Sequence, residues 1–530
     1  MSNLKIRRIV TCALPYANGE IHLGHIASTY LPGDIFVKYL RLKGEGVIFA
    51  CGTDDFGTPI LIKAEQEGKY PEDYVAYWHK RDKEDFEKLG IIFDIFDKTS
   101  SIENIKLAQH FFRVLKEKGY IYKKTIQQYY CNNCNRFLPD RYVKGTCPYC
   151  KANNQYSDSC EACGRAIQED EIIDPYCVVC GTKPIKKEIE HYFFKLSAFG
   201  EKIKDWLISN KNLQEDVKSY VISWIDSGLK DWDITRDIIW GVPIENGKVL
   251  YGWFENHLCY ISSVLKYCET LGLDGKSIWN SSVIYHFIGK DIIYHHYLFL
   301  PAMRIGESEY KLPDFIPVRG HLLLEGKKIS KSRGWYISLR EFLDKYPPDY
   351  LRYYLARIIT YTQADANFEW SSFKEIINSE LVENIGNFIY RVLSFIWNRF
   401  EGIVPEKGEL DALDEEFLNK MQNLASNLEV FFESLEFEKA LKTIVDFSSF
   451  CNKYFQAKEP WKKNLEEIRT SLYLSANAVA ILCNVLYPFI PFSCKELMKE
   501  INLHAMCWPK ELLLSPGHKI NKPSILFKKI

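Results

Sequence analysis

The sequence carries no excess of charge of either sign. Its 68 Lys+Arg stand against 69 Asp+Glu, a formal net charge of -1. That excludes a polybasic, histone-like binder, so any nucleic-acid contact must use a local basic surface. An export signal is lacking as well. Lys5-Ile6-Arg7-Arg8 and the apolar run that follows mimic one, but the run meets Pro15 at once and no small-x-small cleavage pattern follows, so a buried strand is read there. There is no uninterrupted membrane span. The uncharged stretch Ser471 to Cys494 is broken by Asn477, Asn484, Pro488 and Pro491, and reads as a buried bundle helix running to about Tyr487. A P-loop is missing: Gly275-Lys276-Ser277 ends like one, but the earlier glycine position holds Thr270. These absences leave a soluble chain with no membrane partner, expected in a reducing, cytoplasmic compartment.

What is present is a large globular chain. Hydrophobic residues make up 47% and charged residues 26%, values that exclude disorder and fibrous repeats. Aromatics at 15% supply area for large cores and for stacking platforms. At about 150 residues per domain, the length suggests three or four domains.

Residues 5–12 read as a strand, a Pro/Gly loop follows, then a helix from about Leu23 to Leu42, then a strand over Gly46–Gly52. Strand–helix–strand at this spacing is a parallel α/β unit. From Tyr120 to about Lys187 cysteine pairs, Asn, Gly and Pro dominate, which marks a separate insert. Strand-like runs resume at Val249–Trp253 and Val283–Gly289, so the insert splits the sheet. Beyond Trp370 the pattern is amphipathic helix to about residue 502, and the tail from Ser515 to Ile530 is expected to pack back as an extended segment.

Eight of sixteen cysteines form four Cys-x-x-Cys pairs, Cys131/Cys134, Cys147/Cys150, Cys160/Cys163 and Cys177/Cys180. Each such turn offers two thiolates to one tetrahedral zinc, and two turns close a shell. Eight ligands therefore make two structural sites that hold up an insert lacking its own core. Spacing leaves the pairing open, sequential or nested. His22-Leu23-Gly24-His25 sits at the mouth of the first helix, where backbone N–H groups and the helix dipole favour anions. Lys327-Lys328-Ile329-Ser330-Lys331-Ser332-Arg333-Gly334 is a cationic loop with small hydroxyl residues, suited to polyphosphate. Taken singly, the histidine pair is a weak signal that surface residues also explain, and a solvated basic turn is the favoured reading of the loop.

Taken together, an HxGH element after the first strand and a KxSKS loop some 300 residues later resemble a class I aminoacyl-tRNA synthetase. Thr11-Cys12-Ala13-Leu14-Pro15-Tyr16-Ala17-Asn18-Gly19, Gly52-Thr53-Asp54, Asp231-Trp232-Asp233-Ile234-Thr235-Arg236-Asp237 and His286-Phe287-Ile288-Gly289-Lys290-Asp291-Ile292 narrow the resemblance to the methionyl-tRNA synthetase family, over essentially the whole chain. The resemblance implies a Rossmann-type parallel-sheet α/β catalytic domain with an inserted zinc-binding connective domain, followed by an all-α anticodon-binding helix bundle. The expected division is 1–118 and 234–322 for the two catalytic halves, 119–233 for the insert, 323–375 for a mobile-loop and stem-contact region, and 376–530 for the bundle and tail.

The resemblance also implies residue roles. His22 and His25 would hold the ATP phosphates, with Gly24 against the adenine and Gly289 and Asp291 at the ribose. Lys328 would join the ATP site, and Lys331 would neutralise the pentavalent α-phosphate and the departing pyrophosphate. Asp54 would pair with the amino group of L-methionine. Ala13, Leu14, Tyr16, Trp253, Tyr260, Ile292 and His296 would line its side-chain pocket, a set of aromatic walls that suits a thioether. Asn387, Arg391 and Trp461 match positions that read the CAU anticodon of tRNA(Met), as stacking on Trp or Arg would allow. The residue after Pro460 equally suits the buried first turn of a helix. The cysteine pairing would be nested: Cys147, Cys150, Cys160 and Cys163 inside, Cys131, Cys134, Cys177 and Cys180 outside. Mg2+ is expected with ATP. The chain ends after the helical domain and a short tail, so a monomer is expected.

Four positions depart from the family pattern. Asn256 and His257 stand where small or apolar groups sit; either they find partners in each other or in the backbone, or they give the pocket edge a new polar contact with a different amino-acid specificity. Phe56 replaces a polar residue and Ile329 replaces the methionine of the loop signature. The expected activity is methionine–tRNA ligation through methionyl-adenylate. Its rivals are a paralogue that activates another amino acid and a non-catalytic RNA-binding derivative.

Overall fold

The computed structural model describes residues 5–157, 160, 167, 171–331 and 334–530. Three largely apolar runs and two short strands form a parallel sheet. They are β1 (Ile6–Cys12), β2 (Gly46–Thr53), β3 (Ile95–Lys98), β4 (Val283–Gly289) and β5 (Val318–Arg319). Their order is β5-β4-β1-β2-β3, with every pair parallel. The chain winds outward from β1 to β3, then returns to add β4 and β5 on the other side of β1. Loops leaving the carboxyl ends of β1 and β4 therefore part in opposite directions and open a crevice.

The helical run expected over Leu23–Leu42 is continuous but not uniform: Leu23–His25 and Leu31–Leu42 are α-helical, and Ile26–Tyr30 between them is a π turn. A second π turn, His295–Phe299, follows β4. Each passes into an α-helix that begins Leu-Pro, at Leu31-Pro32 and Leu300-Pro301. Proline has no N–H for the α-ladder, and the wider turn absorbs the missing bond.

In the insert, Ile121–Cys131 pairs antiparallel with Ile185–Phe194 from Ile121↔Phe194 to Tyr130↔Ile185. This ribbon carries a cysteine-rich knuckle built on Val143–Thr146, Gln155–Tyr156 and Ile173–Cys177. Strand Trp232–Asp233 pairs with the ribbon as the chain returns. One element differs from expectation. Only Val249–Leu250 is strand, and Trp253 lies in a helical turn, Gly252–Glu255, because a short apolar run does not by itself separate strand from buried helix.

Two expected boundaries fall inside elements. Residue 322 opens a strand, Leu322–Leu324, that pairs with Ala366–Phe368, and the 375/376 junction lies within one helical run, Trp370–Ile376, Ile377–Gly386 and Asn387–Arg399. The bundle is completed by Ala412–Glu433, Phe437–Lys458, Leu465–Leu486 and Pro491–Glu500. Leu465–Leu486 is apolar and long enough to cross a membrane, but 89% of its most apolar window is buried in the bundle. Its asparagines are satisfied by the following chain: Leu514 N donates to Asn477 Oδ1 at 2.8 Å, and Cys507 N donates to Asn484 Oδ1 at 2.8 Å. The tail folds back, with Tyr350 Oη donating to Lys528 O at 2.8 Å.

One apolar core joins the catalytic sheet to the bundle. Tyr39 stacks on Phe432 with ring centroids 4.4 Å apart. Beside it the fully buried Arg352 pairs with Asp34 at 2.6 Å and donates to Pro488 O, Phe489 O and Leu89 O.

Candidate active site and metal centres

The crevice at the ends of β1 and β4 holds a cavity of about 350 Å³. Ala13 N donates to Phe287 O at 3.0 Å, which carries the β1–β4 pairing one residue past the sheet and fixes the cavity floor. His22, Gly24, His25, Gly289, Asp291 and Lys328 line one end; Ala13, Leu14, Tyr16, Asp54, Trp253, Tyr260, Ile292 and His296 line the other. Lys331 stands at the rim. Its ammonium lies 3.4 Å from the point where a Cβ on Gly19 would sit.

The segment that follows the basic loop pairs through its backbone with the chain around the first motif, and the loop itself approaches that motif through the Ile329 and Lys331 side chains. Leu23 N donates to Ile337 O at 3.2 Å and Leu339 N donates to Ile21 O at 2.9 Å. A Cβ on Gly24 would lie 3.1 Å from the His22 imidazole and 3.3 Å from Ile329 Cδ1, so glycine keeps this corner flat. The His22 and His25 rings stack with centroids 3.6 Å apart. Burial and then the Lys331 charge push the His22 pKa down to about 3; burial, His22 and Lys331 push His25 well below the usual histidine range. Both are neutral at pH 7. His22 N donates to His25 Nδ1 at 3.1 Å, which puts the His25 ring proton on Nε2.

Burial lowers the Lys331 pKa, and Asp82 and Glu20 partly offset it. Asp82 is itself buried, with neither carboxylate oxygen hydrogen-bonded among the described residues. Burial and the Asp85 charge push its pKa up to about 8.

At the other end, Tyr260 Oη lies 2.9 Å from His296 Nε2, and His296 Nδ1 lies 3.1 Å from Ile292 O. The carbonyl can only accept, so His296 donates from Nδ1 and accepts the tyrosine proton at Nε2. Burial holds His296 neutral, with a pKa of about 4. Trp253 stacks on His295 at 3.6 Å. The result is an aromatic wall with no formal charge, beside one carboxylate, Asp54. Asp54 Oδ2 accepts from Asn256 Nδ2 at 3.1 Å. Burial raises the Asp54 pKa to about 7, against the lowering effect of the Asn256 bond.

Sequence reasoning did not single out Ser28, Thr29 or His321, all of which line the cavity. The Leu-Pro step after the first π turn was the available signal for Ser28 and Thr29. The expected partners of Asn256 and His257 are corrected. Asn256 bonds a carboxylate rather than its neighbour, and both His257 ring nitrogens are buried without a hydrogen-bond partner among the described residues. His257 sits edge-on to His296 with ring centroids 5.1 Å apart.

The cysteines gather in a nested pattern. The Cys131, Cys134, Cys177 and Cys180 thiols lie within 4.8 Å of one another, and so do those of Cys147, Cys150 and Cys160. Cys163 lies outside the described residues. Cys131 and Cys180 Sγ are 3.4 Å apart, Cys134 and Cys177 3.9 Å, and Cys150 and Cys160 3.6 Å. These separations far exceed a disulfide bond of about 2.05 Å. They match the edge of about 3.8 Å that four sulfurs make around zinc at ~2.3 Å. The clusters could bind zinc.

In the bundle, Asn387 and Arg391 are one helical turn apart on the same face, and the Arg391 guanidinium lies 5.5 Å from the Trp461 ring centre. Trp461 is 37% exposed, in the loop between Phe437–Lys458 and Leu465–Leu486, and not in a buried first turn.

The family described as tRNA synthetases class I (M) matches residues 8–393, and the anticodon binding domain of methionyl tRNA ligase matches residues 404–530. The chain belongs to the methionine–tRNA ligase family. A methionine–tRNA ligase of Pyrococcus furiosus is 43% identical over 99% of this chain and 75% of its own, and one of Methanopyrus kandleri is 42% identical over 98% and 80%. The fold is that of the Mycobacterium tuberculosis methionyl-tRNA synthetase bound by methionyl-adenylate, with a TM-score of 0.83, 24% identity, and coverage of 99% of this chain and 100% of that one. The residues that the sequence motifs singled out for nucleotide and for amino acid line one and the same cavity, apart from Lys331 beside it.

Proposed function

We infer that this chain ligates L-methionine to tRNA(Met) through methionyl-adenylate. The observation that carries the reading is the approach of Ile329 and Lys331 of the KxSKS loop to the HxGH element, at a cavity that is also lined by uncharged aromatic side chains and by Asp54.

Asp54 would hold the α-ammonium of methionine while its thioether lies among Leu14, Trp253, Tyr260 and Ile292, where the neutral His296–Tyr260 pair offers no charge to a competing acidic or basic side chain. The methionine carboxylate would then attack the α-phosphate of ATP in line. The new bond is carboxylate oxygen to phosphorus, and the bond to the bridging oxygen of the β-phosphate breaks, releasing pyrophosphate. His25 Nε2–H and Lys331 would donate to the charge that grows on the phosphoryl oxygens, and His22, neutral like His25, would sit beside them. No side chain needs to form a covalent intermediate, so catalysis is positioning plus charge stabilisation. A ribose hydroxyl of the terminal adenosine then attacks the carbonyl and AMP leaves. Gly289 and Asp291 would meet the ATP ribose, Gly24 the adenine, and Lys328 the phosphates. Mg2+ bound with ATP supplies further charge neutralisation.

The nested thiols would hold two structural zinc ions that brace the insert. Asn387, Arg391 and Trp461 would read the CAU anticodon by stacking and by hydrogen bonds to base edges. The ligase would work as a cytoplasmic monomer.

The test is amino-acid-dependent ATP–pyrophosphate exchange with methionine beside a panel of other amino acids. Exchange with methionine alone is expected. Preference for another amino acid would keep the reaction and overturn the substrate, and no exchange with any would return the chain to RNA binding alone.

A further inference from the structure

Asn256 lies on the cavity wall beside the carboxylate that faces the amino-acid end. Its amide Nδ2 donates to Asp54 Oδ2 at 3.1 Å. That bond leaves one oxygen on each partner. Asp54 Oδ1 and Asn256 Oδ1 are both buried, and neither has a hydrogen-bond partner among the described residues. A buried oxygen left unpaired costs roughly 1–3 kcal/mol, and here two of them belong to hydrogen-bonded side chains that both line the cavity. Asn256 is 6% exposed, and among the described residues its side-chain hydrogen bond is the one to Asp54.

We propose that Asn256 is a positioning residue for the amino-acid substrate, its carbonyl and the free Asp54 oxygen forming a two-acceptor bracket for the α-ammonium. An ammonium carries three N–H donors in a fan, and two of them would close the two orphaned oxygens. The Nδ2 bond does a second job by fixing the orientation of the carboxylate through Oδ2 and leaving Oδ1 free to accept. The bracket also discriminates, because a substrate without the ammonium leaves both oxygens buried and unpaired. The proposal rests on the amino-acid-activating reading above.

The groups that act on Asp54 include Asp55 and the Phe56 backbone N–H beside it, Glu255 on the turn that carries Asn256, and Tyr16, which itself feels Arg141. Burial, then the Asp54 and Asp55 charges, holds the Glu255 carboxyl well above its usual range, and its Oε2 accepts from Asn104 Nδ2 at 3.1 Å. Burial keeps Tyr16 neutral, its pKa raised well above the usual value. No cation among the groups that act directly on Asp54 competes with an incoming ammonium. The Asn256 bond lowers the Asp54 pKa, so its removal shifts Asp54 ionisation to higher pH.

The experiment compares the wild-type chain with Asn256→Ala and Asn256→Ser. It uses L-methionine as substrate and two inhibitors of pyrophosphate exchange, L-methioninol, which keeps the ammonium, and 4-(methylsulfanyl)butanoate, which lacks it. In Asn256→Ala the KM for methionine and the inhibition constant for methioninol are expected to rise about tenfold, the loss of one charge-assisted bond, with less than a twofold change for the butanoate. Asn256→Ser, which returns an oxygen, recovers part of that loss. The acid limb of the pH profile of 1/KM moves to higher pH in Asn256→Ala. An equal loss for both inhibitors, or an acid limb that stays in place, overturns the bracket. Failure of the wild-type chain to exchange pyrophosphate with methionine strikes the amino-acid-activating reading instead. The dissociation constant for ATP, measured on each variant, shows that the cavity is intact.

Discussion

At the scale of single residues, the site is a set of charges placed where burial works against them. Burial lowers the Lys331 pKa, and Asp82 and Glu20 partly offset that lowering. Lys331→Ala is expected to cut methionine-dependent pyrophosphate exchange at least ~100-fold, the loss typical of one transition-state donor, with the KM for methionine little changed. Asp54 gives a pH signature. Its pKa is raised to about 7, so the ionised form that an ammonium needs is nearly complete at pH 8 and is lost as pH falls through 7. Between pH 8 and pH 6 the KM for methionine should rise about tenfold, the change in ionised fraction of a group with that pKa. A KM that stays flat over this range would exclude Asp54 as the ammonium partner.

At the scale of elements, the insert depends on its thiols. Its knuckle strands are short, and the small cluster of buried side chains around them is built partly from the cysteines themselves. Removing one ligand from a four-sulfur shell opens that shell and leaves the other intact if the pairing is nested. Cys177→Ser is therefore expected to lower bound zinc from about two ions per chain to about one, measured by elemental analysis after dialysis. Loss of both would mean that the two centres do not hold independently. The π turns are the other element-scale device. By widening the helix before Pro32 and Pro301, they set Ser28, Thr29 and His296 on the cavity wall, whereas an unbroken 3.6-residue register would carry the later side chains around the axis.

At the scale of the molecule, catalytic sheet and bundle share a core, and Arg352 ties them. It is fully buried, pairs with Asp34 and donates to three carbonyls contributed by both parts. Arg352→Ala strands the Asp34 carboxylate in the core with only Lys38 beside it, and is expected to destabilise the folded chain by about 3–5 kcal/mol in denaturant melts. The anticodon role proposed for the bundle's outer face is separable from the chemistry in the crevice. Trp461→Ala or Arg391→Ala should lower kcat/KM for tRNA about 10- to 100-fold, the worth of one stacked base, while methionine-dependent pyrophosphate exchange is unaffected. Equal loss in both assays would place these side chains in the fold and not on the nucleic acid.

Periodicity, punctuation and local motif chemistry made much of this legible in the sequence. β1, β2, β4 and the long helix Leu465–Leu486 are local statements: an apolar run of a given length between glycines and prolines admits few conformations. The four Cys-x-x-Cys turns declare their chemistry, because each sets two thiols on one side of a single turn. The strand expected at Trp253 failed for the same reason, since four apolar residues fit a strand and a helical turn alike. Tertiary structure alone decided the rest. Which cysteine turns share a shell depends on the register of the Ile121–Cys131 ribbon with its partner, a pairing between residues some sixty positions apart. The lost proton affinity of His22 and His25, the raised pKa of Asp54, and the finding that Asn256 answers Asp54 and not His257 all follow from which surfaces the sheet and loops bury together. Conformational preference is carried by neighbours in the chain, whereas desolvation and hydrogen-bond pairing are properties of neighbours in space, and only the folded chain brings those together.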